Sequence, residues 1–368
     1  MAVRIGVAKE SAAGERRVAL TPETCGKLVK AGCAVSIQRG LGDRARFPDD
    51  AYAAAGAELV DDAAAALGGA DLVFCVQPPP AERIGLLQHG AVLVGGIQPE
   101  GEPARAAALR ARGITAFPLE RLPRTTRAQA MDVLSSQAGM AGYKATLIAA
   151  QLAPRFFPML TTAAGTIRPS KVLVIGAGVA GLQAIATARR LGAQVEGFDV
   201  RPETREQIES LGARFLDLGV SAAGEGGYAR ALNDEERAEQ QRRLGDHLKN
   251  VDVVICTAAV PGRPAPRIVT SEMVSMLKAG SVIVDLAAES GGNCAATVPG
   301  ETVETPAGVT VAGPRDLASM GALHASEMYA RNVFNFASLL LKEGALAFDW
   351  DDELLAKTAW PPREVAAA

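Results

Sequence analysis

The sequence of 368 residues lacks the features that mark several classes of protein. Its five cysteines are odd in number and include no CxxC pair, so neither a disulfide framework nor a zinc site is expected. The formal net charge is only -3, which gives no reason to expect nucleic acid or an anionic membrane as partner. No apolar run approaches the roughly 18 to 20 residues that span a bilayer, and the N-terminus has no apolar signal-peptide core. We therefore expect a soluble protein with reduced thiols and no direct membrane insertion.

Aromatic residues make up only 4% of the chain, whereas 48% of its residues are apolar and glycine is abundant. The length allows two domains, each able to bury its own core. Short apolar runs alternate with segments of helical spacing, a pattern that predicts βαβ units and parallel sheets. One series of predicted strands covers residues 3–8, 34–38, 71–76, 91–97 and 114–119. A second series covers residues 171–176, 194–200, 214–218, 251–257, 281–287 and 309–313.

The helical segments indicate how the two domains follow each other along the chain. A long helix is predicted from about Ala128 to Leu152, and a loop from Pro154 to Pro169. Helical patterns at 324–343 then return the chain towards the first domain. We therefore predict an α/β fold of two Rossmann-like domains with parallel sheets. Residues 1–139 and 311–368 form one domain, and residues 140–310 form a second domain that is inserted into it.

The strongest motif is VLVIGAGVAGLQA, in which three glycines stand in GxGxxG spacing: Gly176, Gly178 and Gly181. The first allows a tight turn after the strand, the second lets backbone approach a pyrophosphate, and the third lets helix and strand pack closely. The helix begins near Val179 and Ala180, where free N–H groups and the helix dipole favour phosphates. The strand before the motif and the helix after it favour a dinucleotide site over the alternative, a glycine turn without a ligand.

A carboxylate follows this motif at the end of the next predicted strand. Asp199 lies 21 residues after Gly178 (199 − 178 = 21), the position of a carboxylate that takes the adenosine ribose hydroxyls. Because it would repel a 2′-phosphate, NAD(H) is favoured over NADP(H). Arg201 is a complication, since a nearby arginine can accept that phosphate; the alternative is a solvated charge near the adenine. The predicted adenosine contacts are Asp199, Val200 and Arg201.

The connection at residues 221–250 is far longer than an ordinary Rossmann connection. It opens with Gly224, Gly226 and Gly227, which precede Tyr228, and a charged helical pattern follows. Glycine hinges beside one aromatic residue suggest a lid that closes on bound nucleotide. A flexible insertion with a solvated helix is an equally good interpretation of the bare pattern.

Residues 123–139, PRTTRAQAMDVLSSQAG, combine helical spacing with polar side chains that suit neither a surface helix nor a core helix. At this spacing Gln129, Asp132 and Ser135 are expected to share one face. Spacing alone leaves two interpretations open: a face that binds a ligand, and a domain-bridging helix with buried polar bonds.

These motifs together resemble the NAD(H)-binding alpha subunit, or first domain, of proton-translocating NAD(P)+ transhydrogenase. The resemblance covers nearly the whole chain, and its most specific portion is the RAQ-x-x-D-x-L-S-S run. It implies that residues 140–310 bind NAD(H) and that the other domain is catalytic. It also implies a homodimer, an NADP(H)-binding beta subunit, a membrane subunit, and hydride transfer coupled to proton translocation. The expected location is the cytoplasm, peripheral on the cytoplasmic face of the inner membrane.

The same resemblance assigns roles to single residues. It places four around the nicotinamide and its ribose: Arg124, Gln129, Asp132 and Ser135. It places Gly227 and Tyr228 on a mobile loop that closes over the nucleotide. Gln240 matches the point where the helix of that loop meets the cofactor, and Ala259 lies in a matching cofactor-binding segment.

The main alternative is an amino-acid dehydrogenase of the related alanine dehydrogenase kind, which needs an acid/base group because a proton moves with the hydride. Where that relative is expected to have lysine and histidine, this chain has Cys75, Gln77 and Gln98. Transfer between two nicotinamides needs no general base, so these replacements favour transhydrogenation. Arg17 is either a carboxylate ligand or a structural residue, and Glu289 is either a turn residue or a direct contact. A regulatory NAD-binding protein without catalysis is a third class.

Overall fold

The computed structural model describes residues 2–219, 221, 230, 233–259, 264–342 and 344–362. The chain divides into two compact units. Unit 1 comprises Met1–Gln137 and Ser319–Ala368, and unit 2 comprises Ala138–Ala318. Within the described ranges, no helix has the length and apolar character of a membrane span.

Unit 1 is built on a parallel sheet of six strands. The strands are β1 (Arg4–Val7), β2 (Ala34–Gln38), β3 (Glu58–Val60), β4 (Leu72–Cys75), β5 (Val92–Gly95) and β6 (Thr115–Pro118). Their order is β3-β2-β1-β4-β5-β6, so the chain reverses its direction of strand addition at β1. Ile5 of β1 lies opposite Val35 on one side and Leu72 on the other. In such doubly wound sheets the ligand crevice lies at the carboxyl ends of the strands beside this reversal.

Helices cover both faces of this sheet. They are α1 (Pro22–Lys30), α2 (Asp49–Ala54), α3 (Ala63–Leu67), α4 (Ala81–Gly85), α5 (Pro103–Ala111), α11 (Ala322–Ala337) and α12 (Glu353–Thr358). Thr21 caps α1 and Pro22 is its first residue. In α11, the buried Tyr329 donates its hydroxyl to the carbonyl of Cys75 at 2.9 Å, which ties the helix to the end of β4.

Unit 2 repeats the doubly wound arrangement. Its main sheet contains β9 (Lys171–Ile175), β10 (Gln194–Phe198), β11 (Arg214–Phe215), β12 (Val253–Cys256), β13 (Val282–Asp285), β14 (Thr302–Glu304) and β15 (Thr310–Ala312). The order is β11-β10-β9-β12-β13-β15-β14, with only β14 antiparallel to its neighbour. The flanking helices include α7 (Val179–Arg190), α8 (Thr204–Ser210), α9 (Asp234–Leu248) and α10 (Ser271–Met276). The predicted α/β class with parallel sheets is confirmed.

Two local predictions were wrong, and two short strands were not predicted. The long helix does not begin at Ala128, because a 3-10 turn at Thr126–Met131 is followed by extended backbone at Asp132, and α6 covers Val133–Leu152. The predicted loop after it contains a hairpin of β7 (Leu160–Thr162) and β8 (Gly165–Ile167). The short strands β3 and β14 were not predicted, because each has only three residues, all exposed or half-buried, and shows no apolar run.

Candidate functional site

The glycine motif of unit 2 forms the turn between β9 and α7. Gly176 follows the strand with φ +95°, a conformation that favours glycine. Gly178 precedes α7 and offers no side-chain cap, and the first helical bond runs from the amide of Leu182 to its carbonyl at 2.8 Å. The first amides of α7 therefore have no intrahelical acceptor. These amides, at Val179, Ala180 and Gly181, form a helix N-terminus suited to phosphate oxygens.

Steric surroundings separate the roles of the three glycines. A Cβ at Gly181 would lie 1.8 Å from the carbonyl oxygen of Gly176, and one at Gly176 would lie 2.8 Å from the Thr257 hydroxyl. Both glycines thus permit close packing of the chain on itself. A Cβ at Gly178 would meet no atom within 4 Å. Gly178 therefore faces open space, where a ligand can approach the backbone.

A second loop of unit 2, after β12, is held beside this turn by Thr257 and Asn293. The Thr257 hydroxyl donates to the carbonyl of Gly176 at 2.9 Å. The fully buried Asn293 accepts from the amide of Ala258 at 3.0 Å and donates to the carbonyls of Ala258 and Pro266, both at 2.8 Å. Asn293 thereby fixes the backbone next to Ala259, which is exposed. This role of Asn293 was not predicted from the sequence, although an asparagine after two glycines indicates a turn.

The carboxylate of Asp199 lies at the carboxyl end of β10 and is 8% exposed. It accepts one hydrogen bond from the amide of Ala177 at 2.7 Å. Arg201 supplies three more: from its amide and Nε at 2.9 Å, and from Nη2 at 2.7 Å. Burial would raise the pKa of Asp199, but the Arg201 guanidinium and these amides outweigh it and lower that pKa. Val200, between the two, is half-buried.

The helix α9 places Gln240 in a buried position, with 5% of the residue exposed. Asn233 caps this helix in a capping box with Glu236. Gly227 and Tyr228, predicted to lie on a closing loop together with Gly224 and Gly226, are outside the described residues.

In unit 1 the run that held the predicted nicotinamide residues forms a corner rather than one helix. The backbone of Asp132 is extended, with ψ 93°. Its carboxylate accepts hydrogen bonds from the Ser135 amide at 2.9 Å and the Ser135 hydroxyl at 2.5 Å, so Asp132 caps α6. Gln129 belongs to the preceding 3-10 turn, so the predicted shared helical face of Gln129 and Asp132 was wrong. Arg124 and Gln129 are exposed, whereas Asp132 and Ser135 are half-buried.

The α11 amides hold this corner in place. Asn332 and Asn335 both donate from Nδ2 to the carbonyl of Ala130 at 2.9 Å. The Ser136 hydroxyl donates to Oδ1 of Asn332 at 2.7 Å. Arg127 pairs with Asp352, the residue that caps α12. The polar side chains of this run therefore have two kinds of position. Those that bond to α11 or α12 anchor the turn, whereas the predicted nicotinamide residues lie at the corner or on its exposed side.

A separate polar cluster lies at the carboxyl ends of β1 and β4. Arg17 donates from Nε and Nη2 to Glu15 at 2.9 and 2.6 Å, and from Nη1 to Gln137 at 3.0 Å. Gln77 also donates to Glu15, at 2.8 Å. Burial would raise the pKa of Glu15, but Arg17 and Gln77 bring it down to about 2. Burial raises the pKa of the neighbouring Glu10 to about 7, despite hydrogen bonds from two backbone amides.

Other candidate groups show no sign of a reactive centre. All five cysteines are buried free thiols, and burial raises the pKa of Cys25 to about 11. Glu289 is exposed in the turn Ala288–Ser290. Among the residues with described positions, no group of three or more His, Cys, Asp or Glu side chains is placed to hold a metal ion.

The two doubly wound sheets, the glycine turn before α7 and the carboxylate at the end of β10 define a Rossmann-type dinucleotide-binding protein. The family models "Alanine dehydrogenase/PNT, N-terminal domain" and "Alanine dehydrogenase/PNT, C-terminal domain" match residues 6–141 and 145–361. The chain belongs to this family, and within it to the NAD(P) transhydrogenase alpha subunits.

Three relatives show the degree of similarity. The chain is 45% identical to an NAD(P) transhydrogenase alpha-subunit chain of Rhodospirillum rubrum, over 91% of this chain and 89% of that one. It is similar to the crystal structure of transhydrogenase from Sinorhizobium meliloti, with TM-score 0.88, 43% identity and 97% of each chain covered. It is 31% identical to alanine dehydrogenase of Bacillus subtilis, over 78% of this chain and 71% of that one. The predicted resemblance is therefore confirmed.

Proposed function

We propose that this chain holds NAD(H) in a proton-translocating transhydrogenase and exchanges hydride directly with NADP(H) on a partner subunit. The observation that carries the proposal concerns two groups: the one that would bind the substrate carboxylate in an amino-acid dehydrogenase, and the one that would transfer the proton. The guanidinium of Arg17 donates from Nε and Nη2 to the carboxylate of Glu15 and from Nη1 to Gln137, so its two-pronged Nε/Nη2 contact is already occupied by a carboxylate of the chain itself. Gln77 donates to the same Glu15 and cannot shuttle a proton near neutral pH.

The nucleotide site that we propose lies at the carboxyl ends of β9 and β10. The open side of Gly178 and the amides of Val179, Ala180 and Gly181 suit a pyrophosphate. Asp199 suits the adenosine ribose, which favours NAD(H) over NADP(H). Further proposed contacts are Gly176, Val200, Arg201, Gly227, Tyr228, Gln240 and Ala259.

NAD(H), when bound, supplies or accepts a hydride, and the chain's own task is to orient it. Transfer between two nicotinamides moves no proton at carbon, so the site needs positioning more than acid/base chemistry. We propose that Arg124, Gln129, Asp132 and Ser135 perform this positioning. The capping bonds of Asp132 support this role, because a carboxylate fixed by two hydrogen bonds presents its remaining lone pairs in one direction.

Partner chains follow from the same proposal. The relatives from Rhodospirillum rubrum and Rickettsia prowazekii match this chain almost end to end, and each is named as one piece of a divided alpha subunit. Such a division supports further subunits on other chains. We propose a homodimer that joins an NADP(H)-binding beta subunit and a membrane subunit on the cytoplasmic face of the inner membrane. The coupling to proton translocation takes place outside this chain, and no nucleic acid partner is proposed.

A label-transfer experiment tests the function. The purified chain is mixed with an NADP(H)-binding component, NADP+ and NADH that carries deuterium at C4. Direct transfer places the deuterium on NADPH, as measured by mass spectrometry, and the solvent contributes none. NADH binding without any transfer would favour the regulatory alternative. NAD+ reduction by L-alanine at ordinary enzyme rates of about 1–1000 per second would favour the dehydrogenase.

A further inference from the structure

The carboxylate of Asp199 is saturated with hydrogen bonds. One oxygen accepts from the Arg201 amide and Nε, and the other accepts from the Ala177 amide and Arg201 Nη2. A carboxylate has about four lone-pair sites, so these four donors fill it. The pair is mostly buried, with the Arg201 side chain 18% exposed and that of Asp199 7% exposed. A ribose hydroxyl can therefore bind Asp199 only if one of these donors leaves.

The guanidinium is the donor that can leave. The Ala177 and Arg201 amides are fixed by the backbone of the glycine turn and of the chain after β10, whereas Nε and Nη2 move with the side chain. These two nitrogens bond one carboxylate oxygen each. Two vicinal hydroxyls can replace them one for one, because each hydroxyl donates a single hydrogen bond.

We propose that the Arg201 guanidinium occupies the place of the adenosine ribose diol at Asp199, and that NAD(H) must displace this guanidinium in order to bind. This inference rests on the proposed nucleotide site and adds a specificity-determining residue to it. Before ligand arrives, Arg201 keeps the carboxylate ionised and oriented. A 2′-phosphate leaves only the 3′-hydroxyl to donate in place of the guanidinium and brings negative charge towards the carboxylate, so the exchange favours NAD(H) over NADP(H).

The displacement has a measurable consequence for affinity. If the competent state, with Arg201 withdrawn, is a minor one, the apparent dissociation constant is raised by the inverse of its population. Removal of the guanidinium then tightens NADH binding. We expect Arg201→Gln to lower the dissociation constant of NADH about tenfold, equivalent to about 1.4 kcal/mol.

The test compares two proteins and two ligands by calorimetry. The proteins are the unsubstituted chain and Arg201→Gln, and the ligands are NADH and an NADH analogue without the adenosine 2′-hydroxyl. The analogue has one hydroxyl and can bind while one guanidinium bond to Asp199 stays in place, so it does not need the fully withdrawn state. Arg201→Gln is therefore expected to improve its binding by less than about threefold. Arg205→Gln is the control, because Arg205 pairs with the exposed Asp217 and its substitution removes the same charge nearby. This control is expected to leave NADH binding unchanged.

Several outcomes would overturn the inference. Unchanged or weaker NADH binding by Arg201→Gln, in a chain that otherwise binds NADH, would overturn it alone. An equal gain for both ligands, or the same gain in Arg205→Gln, would replace it by a general charge effect. Failure of the unsubstituted chain to bind NADH would overturn the proposed function as well. If Arg201→Gln does not fold, Arg201→Lys keeps the charge without the two-pronged contact, and a gain smaller than tenfold is expected; no gain would count against displacement.

Discussion

The hydroxyl of Ser135 donates to the carboxylate of Asp132 at 2.5 Å, and the Ser135 amide donates to the same carboxylate at 2.9 Å. This pair begins α6 and turns the chain between a 3-10 turn and a helix. One carboxylate therefore has two tasks: it caps a helix of the fold, and it lies at the corner proposed to hold the nicotinamide. Substitutions can separate these tasks, because they depend on different properties of the side chain.

We predict that Asp132→Asn slows hydride transfer much more than it weakens NADH binding. Asparagine caps helices about as well as aspartate, so the corner is retained while the charge is lost. Asp132→Ala removes the cap as well and should also lower the free energy of unfolding by about 1 kcal/mol. Single-turnover deuterium transfer, calorimetric NADH titration and urea unfolding measure the three quantities.

Ser135→Ala is the matched substitution at the partner that donates to the Asp132 carboxylate. It removes the hydroxyl bond but keeps the amide bond to Asp132, so the cap survives. We expect a smaller loss of transfer rate than in Asp132→Asn. If Asp132→Asn reduced binding and transfer by equal factors, a positioning role would be ruled out.

The glycine turn gives a second prediction with an internal control. Gly181→Ala forces a Cβ to within 1.8 Å of the Gly176 carbonyl, so we expect loss of several kcal/mol of stability or failure to fold. Gly178→Ala meets open space within the chain and should keep its melting temperature within a few degrees. It should nevertheless weaken NADH binding strongly, since the added methyl group occupies the approach of the pyrophosphate. Unaltered NADH affinity in Gly178→Ala would place the phosphates elsewhere.

Local sequence rules predicted the glycine turn between β9 and α7 and the position of Asp199 at the end of β10. A GxGxxG run between a strand and a helix depends on backbone conformation and close approach, and both follow from residue type within a few positions. The break at Asp132 had a local signal as well. Aspartate is a preferred N-cap, and reading it as a helix interior position was the error. The family and the α/β class could be predicted for the same reason, because the motifs that identify them are local, and both predictions were confirmed.

Other features of the site depend on contacts that no local pattern contains. Asn332 donates to the carbonyl of Ala130, which is 202 positions away in the sequence. Nothing in the sequence distinguishes this asparagine from the other polar residues of α11. The hydrogen bonds from the Arg17 guanidinium to Glu15 and Gln137 likewise form only in the folded unit 1. The saturation of Asp199 needed the position of the Arg201 side chain, which the sequence left open between two roles.

The polar cluster of unit 1 predicts a pH dependence of stability. The pKa of Glu10 is about 7 in the folded chain, raised from its ordinary value of 4.5 by burial. Between these values the folded state binds more protons than the unfolded state, so stability falls as pH rises from about 4.5 to 7. Glu10→Gln removes this contribution. We expect the variant to gain about 1–3 kcal/mol relative to the unsubstituted chain between pH 5 and 8.

Urea unfolding at a series of pH values measures this difference. Glutamine has one acceptor oxygen, so it can keep the 2.7 Å bond from the Val76 amide but loses the 3.2 Å bond from the Gln77 amide. Because that loss is the same at every pH, the change of the stability difference with pH reports the charge of Glu10. Glu15→Gln is the opposite control. The pKa of Glu15 is lowered to about 2, so its contribution is present above 4.5 and is lost as pH falls towards 2. A pH-independent difference for Glu10→Gln would show that Glu10 titrates normally.

The last prediction concerns the proposed homodimer and the hairpin of β7 and β8. All six strand residues are exposed, and the hairpin pairs with no other described strand. Met159, next to it, is 64% exposed and Ile167 is 45% exposed. Open strand edges with exposed apolar side chains favour pairing with another chain, and a two-fold contact needs only one self-complementary surface.

We therefore expect Met159→Asp combined with Ile167→Asp to convert the proposed dimer to a monomer, because burying two carboxylates at a paired hairpin is costly. Sedimentation equilibrium measures the change, and the melting temperature of the monomer is expected to fall because the partner no longer stabilises it. Val298→Asp is the control, since Val298 is an exposed apolar residue of unit 2 (38%) outside the hairpin and should leave the dimer intact. A dimer that survives both hairpin substitutions would place the interface on another surface.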